Sequence, residues 1–459
     1  MSASTFPFSA ETYTSRREQL MKTLQSGKVL LLGNSNSSVN YEDNYYPFRQ
    51  DSSFLYYIGL NQPGLNAVID VDKGETILFG DDISMDHIVW MGDQEKLADL
   101  AAKAGIEKVV PSVEVFDYVD KATMYLPPYR SAHTIKLEQY LDIKELNPSL
   151  KLILAIIDQR NIKSQEEITY LHKAAGLTAK MHETIMANAK AGMSEYELVG
   201  LASKFAFDND ARWSFTPIMT TNGQTLHNHN YHNILQDGDL LLFDGGIEHS
   251  SGYAGDMTRA YPVSKTFSDK QKDIYNIVKA ALDVSVEASK PGVYYKDVHL
   301  LAGLEIAKGL TELGLMKGDP EAAVDDGAQA LFFPHGLGHM IGLDVHDMEN
   351  LGENFVGYDE TIRRSTEFGL KSLRLGRPLK NGNAITIEPG IYFIPQLIDQ
   401  WASEGLHSEF LNYDAIKAYK DFGGIRIEND YIIDQNGAQL LGDPLVYDVD
   451  GVEAVRAKS

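Results

Sequence analysis

Residues 240–263 read LLLFDGGIEHSSGYAGDMTRAYPV, and this stretch decides the fold of the C-terminal half of the chain. Apolar and aromatic runs flank a polar centre, GIEHSSG, which is typical of two strands joined by a hairpin turn. If the turn centres on Ser250, Asp244 and Asp256 lie directly opposite one another with their side chains on one face. Like charges so placed repel by roughly 4 kcal/mol, which a divalent cation between them would reverse. The alternative, a pair of solvated turn aspartates, is disfavoured because Asp is depleted in strands.

Two further acidic residues interrupt strand-like runs in the same half of the chain. Glu388 lies in AITIEPGIYF (384–393), and Glu428 lies in GGIRIENDYII (423–433). A lone carboxylate in such a run carries a large desolvation cost unless something compensates it. In the second run, the strand period of two puts Arg426 on the face of Glu428, where a guanidinium can support a metal-ligating carboxylate. The alternative for each glutamate alone is a solvent-facing position on an edge strand.

Three histidines lie close together in FFPHGLGHMIGLDVHDM (332–348), namely His335, His339 and His346. The interspersed glycines make a regular helix costly, so a zinc-binding helix is disfavoured. We expect an irregular glycine-rich loop that presents imidazoles to a cleft. A single histidine would indicate a structural residue, whereas this clustering favours a functional site.

The N-terminal part of the chain predicts an α/β domain with a mixed sheet. A chain of 459 residues is too long for one ordinary core, so we expect two domains. Up to residue 160, we interpret the apolar runs KVLLLG (28–33), NAVIDV (66–71) and KLILAII (151–157) as strands that alternate with helix-like stretches. We therefore place the N-terminal domain at residues 1–160.

The remaining residues, 161–459, predict a catalytic domain of the α+β class. Three pairs with the spacing of a capping box open candidate helices, at Ser164 and Glu167, Ser194 and Glu197, and Ser268 and Gln271. Strand pairs and glycine turns lie between these helices, which indicates helices segregated from an antiparallel sheet.

The overall composition excludes several classes of protein and site. A formal net charge of −24 disfavours nucleic acid and anionic membranes as partners. The absence of cysteine excludes disulfides and thiolate metal sites. The sequence begins without a signal-peptide pattern and contains no apolar run long enough to span a bilayer. We expect a cytoplasmic protein with neither nucleic acid nor a membrane as partner.

The expected ligand set is Asp244, Asp256, Glu388, Glu428 and the imidazole of His339. The charge of these carboxylates is balanced by two divalent cations per chain. Hard oxygen ligands with one nitrogen and no sulfur suit Mn²⁺, Co²⁺ or Zn²⁺ in a two-metal hydrolytic site. The ligand types do not rank these three ions, and Mn²⁺ is taken as the first expectation. Hydrolysis would use a hydroxide bridging the two metals, a carboxylate as proton shuttle, and imidazoles that steady the oxyanion.

The motifs FDGG, YAGDMTR, HGLGHMIGLDVHD, TIEPGIYF and GIRIEND together resemble the creatinase and methionine-aminopeptidase group of two-metal peptidases. Within that group the chain resembles prolidases, the Xaa-Pro dipeptidases, most, and Xaa-Pro aminopeptidases next. The resemblance extends over nearly the whole chain, including FRQDSSFLYYIGL (48–60). It implies a creatinase/aminopeptidase P-like N-terminal domain and a catalytic domain of the pita-bread type.

The resemblance also implies a role for each metal-site residue. Asp244 would bind one metal, while Asp256 and Glu428 would bridge both. His339 and Glu388 would bind the second metal. Glu388 would also accept the proton of the attacking water.

Four basic residues match positions that contact substrate in the family. His335 and His346 would touch the substrate and stabilise the intermediate. His227, in TNGQTLHNHNY (221–231), would line the pocket for proline. Arg374 would hold the free carboxylate of a dipeptide, because a guanidinium can bind a carboxylate in a bidentate manner.

The expected activity is metal-dependent hydrolysis of the peptide bond that precedes proline, with a preference for Xaa-Pro dipeptides. The segment 395–422 resembles the prolidase insertion and supports that preference. The alternatives are an Xaa-Pro aminopeptidase that takes longer peptides, a non-catalytic binding protein on the same fold, and the metal-free chemistry of creatinase. By analogy with the family we expect a homodimer.

Overall fold

A computed structural model describes residues 7–458, which divide into two compact units. The first unit contains the described residues up to Arg160 together with Met348–Phe355. The second contains Asn161–Asp347 and the described residues from Val356 onward. The sequence placed a boundary after residue 160 and assigned the short segment Met348–Phe355 to the C-terminal domain.

The first unit is built on a five-stranded mixed sheet with the strand order β4-β3-β2-β1-β5. The pairs β1–β2 and β2–β3 are antiparallel, whereas β1–β5 and β3–β4 are parallel. The strands are β1 (Lys28–Leu32), β2 (Asn66–Asp70), β3 (Glu75–Phe79), β4 (Lys108–Val110) and β5 (Met124–Tyr125). The helices are α1 (Ala10–Leu24), α2 (Ser52–Ile58), α3 (Met85–Met91), α4 (Leu97–Lys103), α5 (Ser131–Leu141) and α6 (Leu150–Arg160).

The interpretation of KLILAII (151–157) as a strand is wrong, because these residues lie inside helix α6. Leu152, Ile153 and Ile156 are buried while Leu154 is 41% exposed, a spacing of three to four residues that belongs to a helix face. A short apolar run does not distinguish a buried strand from a buried helix.

The second unit contains only antiparallel strand pairs among its described residues, with helices outside the sheets. Its strands are β6 (Arg212–Trp213), β7 (Ile218–Thr220), β8 (Leu240–Gly245), β9 (Ile247–Glu248), β10 (Met257–Pro262), β11 (Ala384–Ile387), β12 (Gly390–Tyr392), β13 (Gly424–Arg426), β14 (Asn429–Asp434) and β15 (Gly437–Leu440). Its helices are α7 (Gln165–Asn188), α8 (Glu195–Asp208), α9 (Asp269–Ala288), α10 (Tyr295–Glu312), α11 (Pro320–Asp325), α13 (Pro395–Glu404), α14 (Tyr413–Ile416) and α15 (Val449–Arg456). The short helix α12 (Glu353–Val356) lies, except for its last residue, in the segment that belongs to the first unit.

The three capping boxes are confirmed at the starts of α7, α8 and α9. In each case a serine hydroxyl accepts the N–H of the third helical residue, whose side chain accepts the serine N–H in return. These local signals fix where the long helices of the second unit begin.

The strands of the second unit form two three-stranded sheets, β10-β8-β7 and β11-β14-β15, and two strand pairs, β12-β13 and β6-β9. A bridge between Thr258 and Glu428 joins the β8–β10 hairpin to the chain between β13 and β14. A second bridge joins Met340 to Ile385 and so fixes the glycine-rich loop beside β11. Segments far apart in sequence are thereby brought to one place.

No helix among residues 7–458 combines the length and the apolar character needed to cross a lipid bilayer.

Candidate metal centre

One cavity of about 690 Å³ in the second unit is lined by every site residue predicted from the sequence. The predicted metal ligands on its wall are Asp244, Asp256, His339, Glu388 and Glu428. The other predicted residues on its wall are His227, His335, His346, Arg374 and Arg426. Six separate segments of the chain therefore converge on a single space large enough for a small peptide.

The β8–β10 hairpin places Asp244 and Asp256 on one face, although not in the predicted pairing. Asp244 lies opposite Thr258, and the ladder continues in step to the bridge between Glu248 and Ala254. The expectation that Asp244 and Asp256 lie directly opposite is therefore wrong, because the turn centres one residue later than Ser250. A shift of the turn centre by one residue changes the residue opposite Asp244 by two, from Asp256 to Thr258. Because side chains alternate with a period of two, Asp244 and Asp256 still lie on the same face, as diagonal neighbours.

The histidine-rich segment forms the expected irregular loop, held along the edge of β11. Thr386 N–H donates to the His339 carbonyl at 3.0 Å, and Glu388 N–H donates to the Leu337 carbonyl at 2.8 Å. A Cβ atom on Gly338 would lie 2.2 Å from the Thr386 carbonyl oxygen, so only glycine permits this approach. The close contact sets the His339 imidazole beside the carboxylate of Glu388.

Atoms of Asp256, His339 and Glu428 capable of binding a metal lie within 4.8 Å of one another, and all three residues are buried. His339 Nδ1 donates to the Met340 carbonyl at 3.0 Å, so in the neutral imidazole Nε2 is the nitrogen that can bind a metal. This Nε2 lies 3.4 Å from Asp256 Oδ2 and 3.8 Å from Glu388 Oε1. Lone pairs that face each other at such distances repel unless a cation lies between them.

The electrostatics of the predicted metal ligands also indicate a site for cations. Burial, followed by the negative charges of Asp244, Asp430 and Glu388, raises the pKa of Asp256 well above its ordinary value. Burial, then Asp256 and Glu388, raises the pKa of Glu428 in the same way. The Oδ1 atoms of Asp244 and Asp256 are buried and accept no hydrogen bond from any residue in the described range 7–458. Buried carboxylates without enough donors or counter-charge fit a site for divalent cations.

Arg426 supports the carboxylates through one direct hydrogen bond and one that is relayed by Thr258. Its Nη2 donates to Asp244 Oδ2 at 2.5 Å, and its Nε donates to the Thr258 hydroxyl at 3.0 Å. The Thr258 hydroxyl in turn donates to Glu428 Oε2 at 2.5 Å. One guanidinium thus orients two of the predicted ligands, directly or through a hydroxyl.

The same guanidinium is linked to His335 through Tyr392, a residue that the sequence analysis did not single out. Arg426 Nη1 donates to the Tyr392 oxygen at 2.8 Å, and that hydroxyl lies 2.8 Å from His335 Nε2. Nδ1 of His335 is 2.7 Å from the Gly336 carbonyl, so it carries the proton and Nε2 accepts from Tyr392. Burial and the positive charge of Arg426 lower the pKa of His335 to about 3. His335 is therefore neutral.

The sequence does contain a pattern that indicates a role for Tyr392. In the run that contains Glu388, the period of two places Tyr392 on the face of that carboxylate, and a buried tyrosine hydroxyl needs a hydrogen-bond partner. Thr258 and Asp430 were also missed as contacts of the ligands. Asp430 Oδ2 accepts the backbone N–H of Asp256 at 2.9 Å.

The remaining predicted residues surround the substrate space. The imidazole of His346 stacks on that of His339, with ring centroids 3.7 Å apart. Arg374 is half-buried, and its charge contributes to lowering the pKa of His227 after burial and Arg426. His229 also lines the cavity, whereas the ring of His232 is exposed and lies 5.3 Å from that of Tyr196.

Residues 169–435 match the family described as Metallopeptidase family M24, and residues 13–126 match the aminopeptidase P N-terminal domain. Human Xaa-Pro dipeptidase is 31% identical over 450 residues, which cover 92% of this chain and 88% of that protein. A probable Xaa-Pro aminopeptidase, PEPP of Podospora anserina, is 30% identical over 444 residues, which cover 95% and 93% of the two chains.

Two solved structures share the architecture. The aminopeptidase PepP of Pseudomonas aeruginosa has a TM-score of 0.83 at 24% identity and covers 99% of both chains, which shows the common fold. Zinc-substituted Escherichia coli aminopeptidase P in complex with product has a TM-score of 0.81 at 26% identity over 98% of this chain and 99% of that one. The predicted fold, an α/β domain with a mixed sheet followed by an α+β domain of the pita-bread type, is confirmed. The chain is a peptidase and belongs to metallopeptidase family M24.

Proposed function

We propose that this metallopeptidase hydrolyses the peptide bond that precedes proline and prefers Xaa-Pro dipeptides. The single observation that carries the proposal is that one cavity is lined both by a cluster of four carboxylates and by the guanidinium of Arg374. Asp244, Asp256, Glu388 and Glu428 form the acidic part of this cavity, and Arg374 lies on the wall of the same space. A small zwitterion with a free carboxylate fits such a cavity, because both of its ends meet opposite charge or a cation.

The acidic part would hold two divalent cations, with Mn²⁺ as the first expectation and Co²⁺ or Zn²⁺ as alternatives. The ligands would be the four carboxylates and Nε2 of His339, a set of hard oxygens and one nitrogen that suits these ions. The orphaned Oδ1 atoms of Asp244 and Asp256 support this assignment. When bound, such cations polarise a carbonyl group and lower the pKa of a water ligand.

The side chains of the protein would divide the remaining work. Glu388 accepts a proton from the attacking water and passes it to the nitrogen of the leaving proline, since Glu388 Oε2 faces the cavity 3.8 Å from His335 Nδ1. Burial raises the pKa of Glu388, although the nearby His339 and Arg426 oppose the shift. His335 and His346 would touch the substrate. Both nitrogens of His335 are engaged, by the Gly336 carbonyl and the Tyr392 hydroxyl, so a hydrogen bond to the tetrahedral oxyanion would come from His346.

The specificity for dipeptides would come from Arg374, which ends the substrate space by pairing with a free carboxylate. His227 lines the part of the cavity next to Leu226 and Ile218, where the apolar ring of proline would lie. The second candidate is an Xaa-Pro aminopeptidase, which the likeness to aminopeptidase P structures favours.

The decisive experiment compares Gly-Pro with the tripeptide Ala-Pro-Ala, using metal-stripped protein to which Mn²⁺, Co²⁺ or Zn²⁺ is added. We expect metal-dependent hydrolysis of both, with kcat/KM for Gly-Pro at least about tenfold higher, because one charged contact is worth about that factor. Equal or faster cleavage of the tripeptide would favour the aminopeptidase. No cleavage of either peptide with any metal would overturn both assignments. The expected homodimer stays a prediction, which light scattering of the same preparation tests.

A further inference from the structure

The loop that carries His227 bears a second imidazole, His229, that also lines the cavity. Nδ1 of His229 lies 3.3 Å from the Pro217 carbonyl, which also accepts the Tyr231 hydroxyl at 2.6 Å. Asn228 Nδ2 donates to the Thr220 hydroxyl at 2.9 Å. The loop is therefore fastened to β7 on both sides of His229, so the position of this imidazole is defined.

Several positively charged groups act on His227, the neighbour of His229 on the loop. Burial, then the positive charges of Arg426, His229 and Arg374, lowers the pKa of His227, against the opposing charge of Asp244. Positive groups from three segments therefore act on the position of His227. The mutual repulsion of these groups is relieved by an anion placed among them.

We propose that His229 is a specificity-determining residue that, together with Arg374, receives the carboxylate of a substrate whose proline is C-terminal. This inference rests on the proposed function and extends it. With Nδ1–H directed at the Pro217 carbonyl, the imidazolium presents Nε2–H as a second donor. A neutral imidazole in the same orientation presents an acceptor instead, which would suit the peptide N–H of a longer substrate. A carboxylate bound between His229 and Arg374 would itself stabilise the imidazolium, which is why we assign the carboxylate rather than the peptide N–H.

The test uses two dipeptides that differ only at the C-terminus, Ala-Pro and its amide, with Mn²⁺-loaded protein. His229→Asn keeps a donor near the position of Nδ1 but removes Nε2, whereas His229→Gln keeps a donor near Nε2. We expect His229→Asn to raise KM for Ala-Pro about fivefold to tenfold and to leave kcat within about twofold, since the side chain is solvent-exposed and touches no reacting atom. KM for the amide stays unchanged, and His229→Gln restores part of the loss.

The matched control is His232→Asn, because His232 lies on the same loop, is exposed and is not among the residues lining the cavity. It should change neither KM. An equal rise for acid and amide would mean that His229 only shapes the loop, and an unchanged KM for Ala-Pro would remove any role. Ala-Pro-Ala is measured alongside, and a rise in KM confined to this tripeptide would overturn the carboxylate role, because it would show that His229 accepts a peptide N–H instead. If the unaltered protein does not cleave Ala-Pro at all, the proposed function itself fails, and the inference falls with it.

Discussion

Tyr392 is the residue through which Arg426 acts on His335, because its hydroxyl accepts from the guanidinium and donates to the imidazole. Tyr392 is fully buried, so a phenylalanine at this position keeps the packing and removes only these two hydrogen bonds. The contribution of such outer contacts to a metal site is commonly about 10- to 100-fold in activity or metal affinity.

We therefore predict that Tyr392→Phe lowers kcat for Gly-Pro about tenfold or more, while the protein still folds. Steady-state kinetics and a thermal unfolding curve measure the two effects separately. Tyr413→Phe is the control, since the Tyr413 hydroxyl also donates a hydrogen bond, to the Leu406 carbonyl, but lies outside the cavity lining. Equal kinetics for both variants would show that the Tyr392 hydroxyl does not act on His335.

Arg374 provides a second test at the level of one side chain. Arg374→Ala should raise KM for Gly-Pro about 10- to 100-fold and affect the amide Gly-Pro-NH₂ much less, because a charge-assisted contact to the carboxylate is lost. Arg374→Lys should recover only part of the affinity, since an ammonium cannot bind a carboxylate in a bidentate manner. Lys371→Ala, an exposed change in the same segment, is the control. An unchanged KM in Arg374→Ala would remove the carboxylate role.

The β8–β10 hairpin shows what local sequence does and does not specify. Apolar runs around GIEHSSG predicted two strands and a turn, and both are present. The turn was predicted to centre on Ser250, whereas the pairing of the strands centres it on Ser251. The polar stretch GIEHSSG is compatible with either centre, so the sequence does not determine the register. The face of Asp244 and Asp256 was still correct, since the strand period does not depend on the centre. The prediction of a strand at KLILAII (151–157) was wrong for a different reason. These residues form a helix whose burial depends on tertiary packing, which the short run does not reveal.

The hairpin depends on the absence of a side chain at Gly246. A Cβ there would lie 1.8 Å from the Gly255 carbonyl oxygen and 2.4 Å from Ser214 Oγ. We predict that Gly246→Ala lowers the free energy of unfolding by about 2 kcal/mol or more and reduces metal binding, because β8 and β10 must separate. Gly200→Ala, with no atom within 4 Å of its added Cβ, should be neutral or slightly stabilising. Urea unfolding checks both, and equal stability of the two variants would contradict the argument.

The end of the glycine-rich loop is fixed by a buried ion pair. Lys163 Nζ lies 2.7 Å from Asp347 Oδ2, and the side chains are 2% and 1% exposed. Because Asp347 directly follows His346, this pair also holds the imidazole that stacks on His339. No spacing in the sequence indicates a pair 184 residues apart, so it was not predicted.

We predict that Lys163→Met lowers the free energy of unfolding by about 3–5 kcal/mol, because it leaves a buried carboxylate without its partner. The double variant Lys163→Met with Asp347→Leu should lose less than the sum of the single losses, since no charge is then buried alone. Chemical denaturation of the four proteins of this cycle gives the coupling. Strictly additive losses would show that the pair is not coupled.

On the scale of the whole molecule, the sequence predicted the two fold classes and the ten residues that meet in one cavity. The carboxylates were found because charge in an apolar strand needs an explanation, and that argument requires only local sequence. The network of Arg426, Thr258 and Tyr392 was not found in full. Its contacts span 34 to 182 residues of chain, and only the assembled fold determines them.

The buried histidine His133 should make a contribution to the stability of the chain that is lost on acidification. Burial, then the charge of Lys136, lowers the pKa of His133 from 6.5 to about 4. Between these values the unfolded chain binds a proton that the folded chain does not, so this contribution is present above pH 6.5 and is lost as the pH falls toward 4. Denaturation curves at several pH values give the free energy of unfolding as a function of pH. Its slope should be smaller for His133→Asn than for the unaltered protein, by at most about 1.4 kcal/mol per pH unit. Parallel slopes would contradict the assignment.

The central claim is that Asp244, Asp256, His339, Glu388 and Glu428 together bind two divalent cations. Anomalous diffraction from crystals of Mn²⁺-loaded protein, collected on both sides of the manganese edge, tests it most directly. We predict two anomalous peaks in the cavity, both in contact with Asp256 and Glu428, and their loss in Asp256→Asn. A cavity without manganese at saturating Mn²⁺, or peaks bound to other residues only, would contradict the account.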